Sequence, residues 1–401
     1  MENTTDQGVD NIFTDELIKR CNPGLTDFGT GSVIALSSQC LRSAKQPTAC
    51  TICIDACPVD AIRANTLQRP IITNDCLKCG YCISVCPLNS ITATTRTIQQ
   101  VIRLLLQATL RVDQLTITCS RSSALLRLEA EGSDPKAAQA ALEHLIQAEA
   151  NDSLYLIPCL AMLSRELWFT VLNEIGIAQV KEVLVLLPFG QCELCPVNCK
   201  GGAVDSFVDA IDTAEQWSRQ TVTIISFAND VPVYQKATVR GFLSNENPAD
   251  RRGIFTGFYK QLRRTLDDSS RTGNRAANEA VWMRERNETI ARTLLADDLK
   301  PEITGSSKPL LAPFRQALVE AIGRNPDNAD SVNLLVSQTD SMLCKGCELC
   351  VEVCPIKARA IENEKAYADP LYCLGCSACI QACPENACSF NRVSGRTFLR
   401  V

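Results

Sequence analysis

The sequence CKGCELCVEVCP at residues 344–355 is followed, at residues 373–384, by CLGCSACIQACP. Both stretches have the pattern C-x2-C-x2-C-x3-C-P, and eight cysteines in this register arise by chance very rarely. The two-residue gaps let the backbone curl around one face of a metal cluster, and the three-residue gap allows a short helical turn before the fourth cysteine. A zinc ribbon would use two pairs of cysteines rather than two groups of four. The pattern therefore predicts two [4Fe–4S] clusters in this region.

The amino-terminal end of the chain repeats this plan with one departure. Residues 76–87, CLKCGYCISVCP, contain the complete pattern. The preceding run, residues 47–58, reads PTACTICIDACP, so that Pro47 stands where the first cysteine is expected. The two runs are equally far apart at both ends of the chain, which supports the same fold for both.

The position of Pro47 leaves one cluster short of a ligand. Cys40 lies ten residues before Cys50, so a small loop can return it to the vacant ligand position at one corner of the cluster. Cys21 lies 29 residues before Cys50, in a glycine-rich segment, and is the less favoured choice. Water or another ligand at this corner would instead give a labile cluster or a 3Fe form.

Both ends resemble the two-cluster bacterial ferredoxins, which carry single electrons between enzymes, over about residues 38–95 and 335–393. The resemblance implies a small βαβ-repeat fold, and it implies that each cluster takes three cysteines of one run and the last cysteine of the other. The implied amino-terminal sets are Cys40, Cys50, Cys53 and Cys86, and Cys57, Cys76, Cys79 and Cys82. The implied carboxyl-terminal sets are Cys344, Cys347, Cys350 and Cys383, and Cys354, Cys373, Cys376 and Cys379.

The middle of the chain has the alternating pattern of an α/β domain. Strands are predicted over residues 114–119, 153–158, 181–188 and 221–227, and helices over 134–149, about 160–171 and about 203–219. The third strand is nearly all apolar, as buried parallel strands are. Alternation at this spacing predicts βαβ units in a doubly wound parallel sheet.

Five cysteines fall at or just beyond the ends of these predicted strands. The carboxyl ends of parallel strands lie on one edge of the sheet, where such folds bind ligands. Four thiolates, most simply Cys119, Cys159, Cys192 and Cys195, are therefore candidates for a fifth iron–sulfur cluster or a zinc ion. Buried cysteines also serve as small apolar residues, so simple packing is the alternative.

Composition excludes several other classes of protein. Twenty-three cysteines in 401 residues, without an apolar signal-peptide core, predict a cytoplasmic protein whose cysteines hold metal rather than disulfides. The single histidine, His144, argues against histidine-ligated metal. A net charge of -5 argues against nucleic acid binding, and no apolar run is long enough for membrane insertion.

These patterns divide the chain into five parts. They are an extension over 1–37, ferredoxin-like domains over 38–96 and 335–401, the α/β domain over 97–228, and a helical and irregular connector over 229–334. Within the connector, RRGIFTGFYKQLRR carries five basic residues and no acidic one. This run is either a solvated face or a docking patch for an acidic partner.

Taken together, these features predict an α/β plus α+β electron-transfer protein or subunit with four [4Fe–4S] clusters and a possible fifth. The expected partner is a redox enzyme that acts as donor or acceptor; its identity, and the oligomeric state, stay open. No phosphate-binding glycine loop occurs, so neither flavin nor nucleotide is expected. The alternative is a redox enzyme whose active site is the central cysteine group, with Cys199 as a spare reactive thiol.

Overall fold

The computed structural model of the chain describes residues 33–35, 40–43, 50–65, 69–73, 75–93, 98–109, 112–120, 122–123, 126, 136–151, 153–178, 182–188, 192, 195–227, 235–238 and 311–400. The chain divides into two compact units, one formed by residues 1–238 with 304–401 and the other by residues 239–303. The second unit lies outside the described residues, as do Cys21 and the basic run RRGIFTGFYKQLRR at 251–264.

The amino-terminal region consists of short strands and one-turn helices around the cysteine runs. The described elements are β1 (Val33–Ala35), α1 (Ile52–Ala56), β2 (Ile62–Ala64), β3 (Pro70–Ile72), α2 (Tyr81–Val85) and β4 (Ile91–Ala93). Strand β1 pairs antiparallel with β4, and β2 pairs antiparallel with β3. Each helix ends directly before the last cysteine of its run, Cys57 or Cys86, as the three-residue gap predicts.

The central region contains the predicted alternation of helices and strands. Its elements are α3 (Ile98–Thr109), β5 (Gln114–Cys119), α4 (Lys136–Ala150), β6 (Leu154–Ile157), α5 (Arg165–Ala178), β7 (Glu182–Pro188), α6 (Gly202–Ser218), β8 (Val222–Phe227) and β9 (Gln235–Thr238). Strands β5 to β8 are parallel and occupy the four positions predicted from the sequence. Strand β9 adds an antiparallel edge that the sequence analysis had placed in the connector.

The strand order of this sheet is β6-β5-β7-β8-β9. Leu145 of α4 packs with Leu154 and Leu184 on one face, and the intervening residues Val183 and Val185 are buried on the other. Both faces of the sheet are therefore covered, as expected for a doubly wound sheet. Strand β6 lies on one side of β5, and the next strand in sequence, β7, lies on the other side. The direction of the strand order therefore reverses at β5, and the carboxyl ends of β5 and β7 form the topological switch point.

The carboxyl-terminal region repeats the plan of the amino-terminal one. Its elements are α7 (Pro313–Arg324), β10 (Asn333–Thr339), α8 (Leu349–Glu352), β11 (Arg359–Glu362), β12 (Lys365–Ala368), α9 (Ala378–Ala382) and β13 (Cys388–Ser394). The outer strands β10 and β13 pair antiparallel from Asn333 opposite Ser394 to Thr339 opposite Cys388. The inner strands β11 and β12 form a second antiparallel pair. This matches the pairing of β1 with β4 and of β2 with β3, so the repeat in sequence is a repeat in topology.

Helix α7 joins the three regions. The Asn89 side chain donates from Nδ2 to the Cys86 carbonyl at 3.3 Å and accepts, through Oδ1, from the backbone N–H of Phe314 at 3.4 Å. The neighbouring Arg315 is buried and donates from Nη2 to the Cys373 carbonyl at 2.9 Å. The same helix packs against α5, where the Asn173 side chain donates to a helix carbonyl at 2.9 Å. No helix within the described ranges has the length and apolar character to cross a membrane.

Candidate metal centres

Two cavities in the carboxyl-terminal region are lined by cysteines of both runs. One is bordered by Cys344, Cys347, Cys350, Cys383 and Cys388. The other is bordered by Cys354, Cys373, Cys376 and Cys379. Each cavity thus combines three cysteines of one run with the last cysteine of the other. These are the two sets that the ferredoxin resemblance implies, with Cys388 as an additional thiol.

All four cysteine runs end in the same backbone turn. The third residue after the last cysteine has a positive φ of 50–54° in Asp60, Asn89, Lys357 and Asn386. The next backbone N–H then points back at the sulfur: Ala61 to Cys57 (3.2 Å), Ser90 to Cys86 (3.3 Å), Ala358 to Cys354 (3.2 Å) and Ala387 to Cys383 (3.3 Å). Hydrogen bonds to ligand sulfurs stabilise their negative charge and are one of the factors that set cluster potentials.

Electrostatic interactions link the amino-terminal cysteines to one another. Burial first, and then the charges of Cys86, Cys40 and Cys50, raise the pKa of Cys53 to about 12. Cys40 is buried, and the Arg42 guanidinium, two residues after it, donates to the Cys50 carbonyl at 2.7 Å. Cys40 therefore lies near enough to Cys53 to affect its pKa, and its role as the ligand that replaces the cysteine missing at Pro47 stays a prediction.

The second amino-terminal set has the same electrostatic character. Burial, together with the charges of Cys76 and Cys57, raises the pKa of Cys79 to about 11. Burial also raises the pKa of Cys82, with contributions from Cys79 and Cys76. Grouped thiols of this kind ionise readily only when a positive charge is supplied, and the iron atoms of a cluster supply it. The donor set therefore fits an iron–sulfur cluster.

The central cysteines lie at the carboxyl edge of the parallel sheet. Cys119 ends β5, Cys159 comes two residues after the end of β6, and the Cys195 N–H donates to the Cys192 carbonyl at 3.3 Å in the segment after β7. Burial first, and then the charges of Cys119, Cys79 and Cys195, raise the pKa of Cys159. Cys119, Cys195 and Cys79 are thus each near enough to Cys159 for their charges to raise its pKa.

The amino-terminal region packs directly on this edge of the sheet. The Ser84 hydroxyl donates to the Ala161 carbonyl, and the Tyr81 hydroxyl donates to the Gly202 carbonyl at 2.9 Å. The Cys199 thiol donates to the Pro58 carbonyl at 2.8 Å. Burial foremost raises the pKa of Cys199, which makes it a poor nucleophile. Cys199 is thus part of the contact between the regions and has none of the features of a spare reactive thiol.

Among the residues that the structure describes, no group of three or more His, Cys, Asp and Glu side chains is arranged to hold a metal ion. That statement includes the ferredoxin-like cysteine sets. A cubane holds its thiolates further apart than a single ion does, because iron atoms and sulfides stand between them. The zinc ion considered for the central region stays a prediction.

Comparison with known protein families supports the assignment of both ends. Residues 337–384 match the 4Fe-4S dicluster domain family, and residues 46–97 match the LdpA Fe-S cluster-binding domain family. The chain is an iron–sulfur protein. The matched segments contain all the cysteines of the four runs, whereas Cys40 and Cys388 lie outside them. No curated protein and no solved structure shows significant similarity to the chain.

Sequence analysis missed two residues at the carboxyl-terminal cavities. Cys388 stands outside the repeated pattern, five residues after Cys383, so the spacing rule does not select it. Arg359 is buried and lines the cavity of Cys354, while its guanidinium donates to Cys388 at 3.2 Å. A lone arginine after a cysteine run carries no sequence signal, because only the pairing of β11 places it between the two cavities.

Proposed function

We propose that the protein is an electron carrier that holds four [4Fe–4S] clusters in the implied cysteine sets and passes single electrons between a redox enzyme and an acceptor. The observation that supports the proposal is that each of the two carboxyl-terminal cavities combines three cysteines of one run with the last cysteine of the other. A cluster of this type supplies reversible one-electron chemistry when bound. The protein's own residues hold the clusters, exclude water from them and donate hydrogen bonds to their ligands.

The connection through helix α7 supports electron transfer between the two ends. Cys86 belongs to one amino-terminal set and Cys373 to one carboxyl-terminal set. Asn89 contacts the Cys86 carbonyl and the Phe314 N–H, and Arg315 contacts the Cys373 carbonyl. The two sets are therefore joined through a short series of hydrogen-bonded groups rather than lying at unconnected ends of the chain.

We also propose that Cys119, Cys159, Cys192 and Cys195 bind a fifth cluster at the switch point of the sheet. Doubly wound folds bind ligands at that place. The proximity of Cys159 to Cys79 would put this cluster next to one of the amino-terminal clusters, so that electrons could enter the α/β region. The alternative, a redox enzyme with a reactive central thiol, is less well supported because Cys199 is engaged by Pro58.

Iron analysis and a redox titration of the anaerobically purified chain test these proposals. Four clusters require about 16 iron atoms per chain, and five require about 20. Cys347→Ser is expected to remove about four of them, whereas Cys199→Ser, a cysteine outside every implied set, is the matched control. Full iron content in Cys347→Ser, or clusters that accept no electrons, would reject the electron-carrier proposal. Unchanged iron in Cys159→Ser would reject the fifth cluster alone.

A further inference from the structure

Arg359 lies on β11 between the two carboxyl-terminal cavities. Only 4% of its surface is exposed. Its Nη1 donates to the Ser337 hydroxyl at 3.1 Å and to Cys388 Sγ at 3.2 Å, and its Nη2 donates to the Thr339 hydroxyl. Ser337 borders the cavity of Cys354, and Cys388 and Thr339 border that of Cys344. The guanidinium therefore reaches both cavities.

Among the described residues, the cation has no partner of opposite charge. Within the described part of the chain, no carboxylate lies at ion-pair distance from Arg359, and its buried Nε has no hydrogen-bond acceptor. A buried charge without a counter-charge, and a buried donor without an acceptor, are both costly. The described side chains therefore offer no carboxylate that offsets this cation.

We propose that Arg359 is the shared counter-ion of the two carboxyl-terminal clusters and that its Nε donates a hydrogen bond to a ligand or sulfide sulfur of the cluster bound by Cys354, Cys373, Cys376 and Cys379. This inference rests on the proposed function, since it requires clusters in both sets. A cubane with four thiolates carries a net negative charge, which matches the missing counter-charge. The orphaned Nε supplies the donor that such a sulfur accepts.

The expected consequence is a higher reduction potential for both clusters. Reduction adds one electron to a cluster that is already negative, so a fixed cation nearby favours the reduced form. Arg359 itself is buried, so screening of its charge is weak. Loss of the charge should lower the equilibrium constant for one-electron reduction by about tenfold, which corresponds to about 59 mV. Arg359 is thus a positioning and tuning residue and is not a ligand.

The experiment is a redox titration of the full chain, with iron analysis, in three variants. Arg359→Gln keeps hydrogen-bond donors and removes the charge, while Arg359→Lys keeps the charge and removes the planar guanidinium. Arg392→Gln removes an exposed charge from β13 of the same region and is the matched control. Arg359→Gln should lower the potentials of two clusters and leave the others unchanged, and Arg392→Gln should shift none.

Each outcome decides the proposal. Unchanged potentials in Arg359→Gln, with full iron content, would overturn it. If Arg359→Gln loses iron while Arg359→Lys keeps it, the charge is needed for cluster binding and the proposal stands. Loss of iron in both variants would assign Arg359 to packing alone and overturn the proposal. A wild-type chain with fewer than about 16 iron atoms after reconstitution would reject the proposed function instead.

Discussion

Gly80→Ala should break the contact between the amino-terminal region and the edge of the parallel sheet. Gly80 precedes α2 with a φ of +76°, and a Cβ added there would lie 2.5 Å from Met162 Cγ. The left-handed backbone costs a non-glycine residue about 1–2 kcal/mol. Overpacking against Met162 adds about 1–3 kcal/mol. The free energy of unfolding should therefore fall by about 2–5 kcal/mol.

Gly201→Ala separates these two costs. Gly201 has a φ of +79°, but nothing lies within 4 Å of a Cβ added there. This variant should lose only the backbone cost of about 1–2 kcal/mol. Met162→Ala in the Gly80→Ala background should remove the overlap, and the double-mutant cycle should return a coupling energy of about 1–3 kcal/mol.

Urea unfolding under anaerobic conditions, followed by circular dichroism, measures these differences. Iron content is determined in parallel, so that cluster loss is not mistaken for loss of packing. Equal destabilisation in Gly80→Ala and Gly201→Ala, or no coupling with Met162, would refute the contact between α2 and the segment after β6. The placement of Cys159 beside Cys79 would then lose its basis as well.

Three further predictions concern the thiols. Cys40→Ser should remove one amino-terminal cluster or convert it to a 3Fe species detected by electron paramagnetic resonance, whereas Cys21→Ser should not; the reverse result would assign the ligand to Cys21. Cys388→Ser should keep the full iron content, because it adds a fifth thiol to a set of four; loss of iron would make Cys388 a ligand. In the cluster-free chain, burial raises the pKa of Cys53 to about 12 from an ordinary value of 9.0. The folded state therefore binds more protons than the unfolded state between these values, and stability should fall as the pH rises above about 9. A cluster-free chain whose urea midpoint is flat from pH 8 to pH 10 would contradict this.

The sequence allowed much of the fold to be predicted. The cysteine spacing predicts the iron–sulfur domains at the two ends of the chain. The alternation of apolar strands with helices such as Lys136–Ala150 predicts the parallel sheet, because both signals are local in the sequence. Strand β9 was missed because Gln235–Thr238 is short and mostly polar in sequence, so it has no alternation of apolar residues to indicate a strand.

Other parts of the site depend on contacts between distant residues and could not be predicted. The left-handed turn occurs at Asp60, Asn89, Asn386 and Lys357. Asn and Asp tolerate this conformation but do not by themselves indicate it, and Lys does not favour it, so only the structure reveals the turn. Arg359 on β11 and Cys388 on β13 are 29 residues apart and belong to two different strand pairs, so they meet only through the packing of those pairs. The convergence of Cys119 and Cys159 was expected from topology, but their closeness to Cys79 depends on packing between regions.

The hydrogen bonds of Arg315 link the stability of helix α7 to the binding of one cluster. Its guanidinium donates to the carbonyls of Pro370, Leu371 and Cys373, which belong to the loop that begins a cysteine run. If that loop opens when its cluster is lost, a buried cation on helix α7 loses its acceptors, at a cost of about 1–3 kcal/mol. By linkage, the same free energy makes the cluster harder to lose while α7 stays docked on α5. Loss of the cluster proposed at Cys373 and undocking of α7 are then coupled, so that each should make the other easier while the remaining clusters are retained.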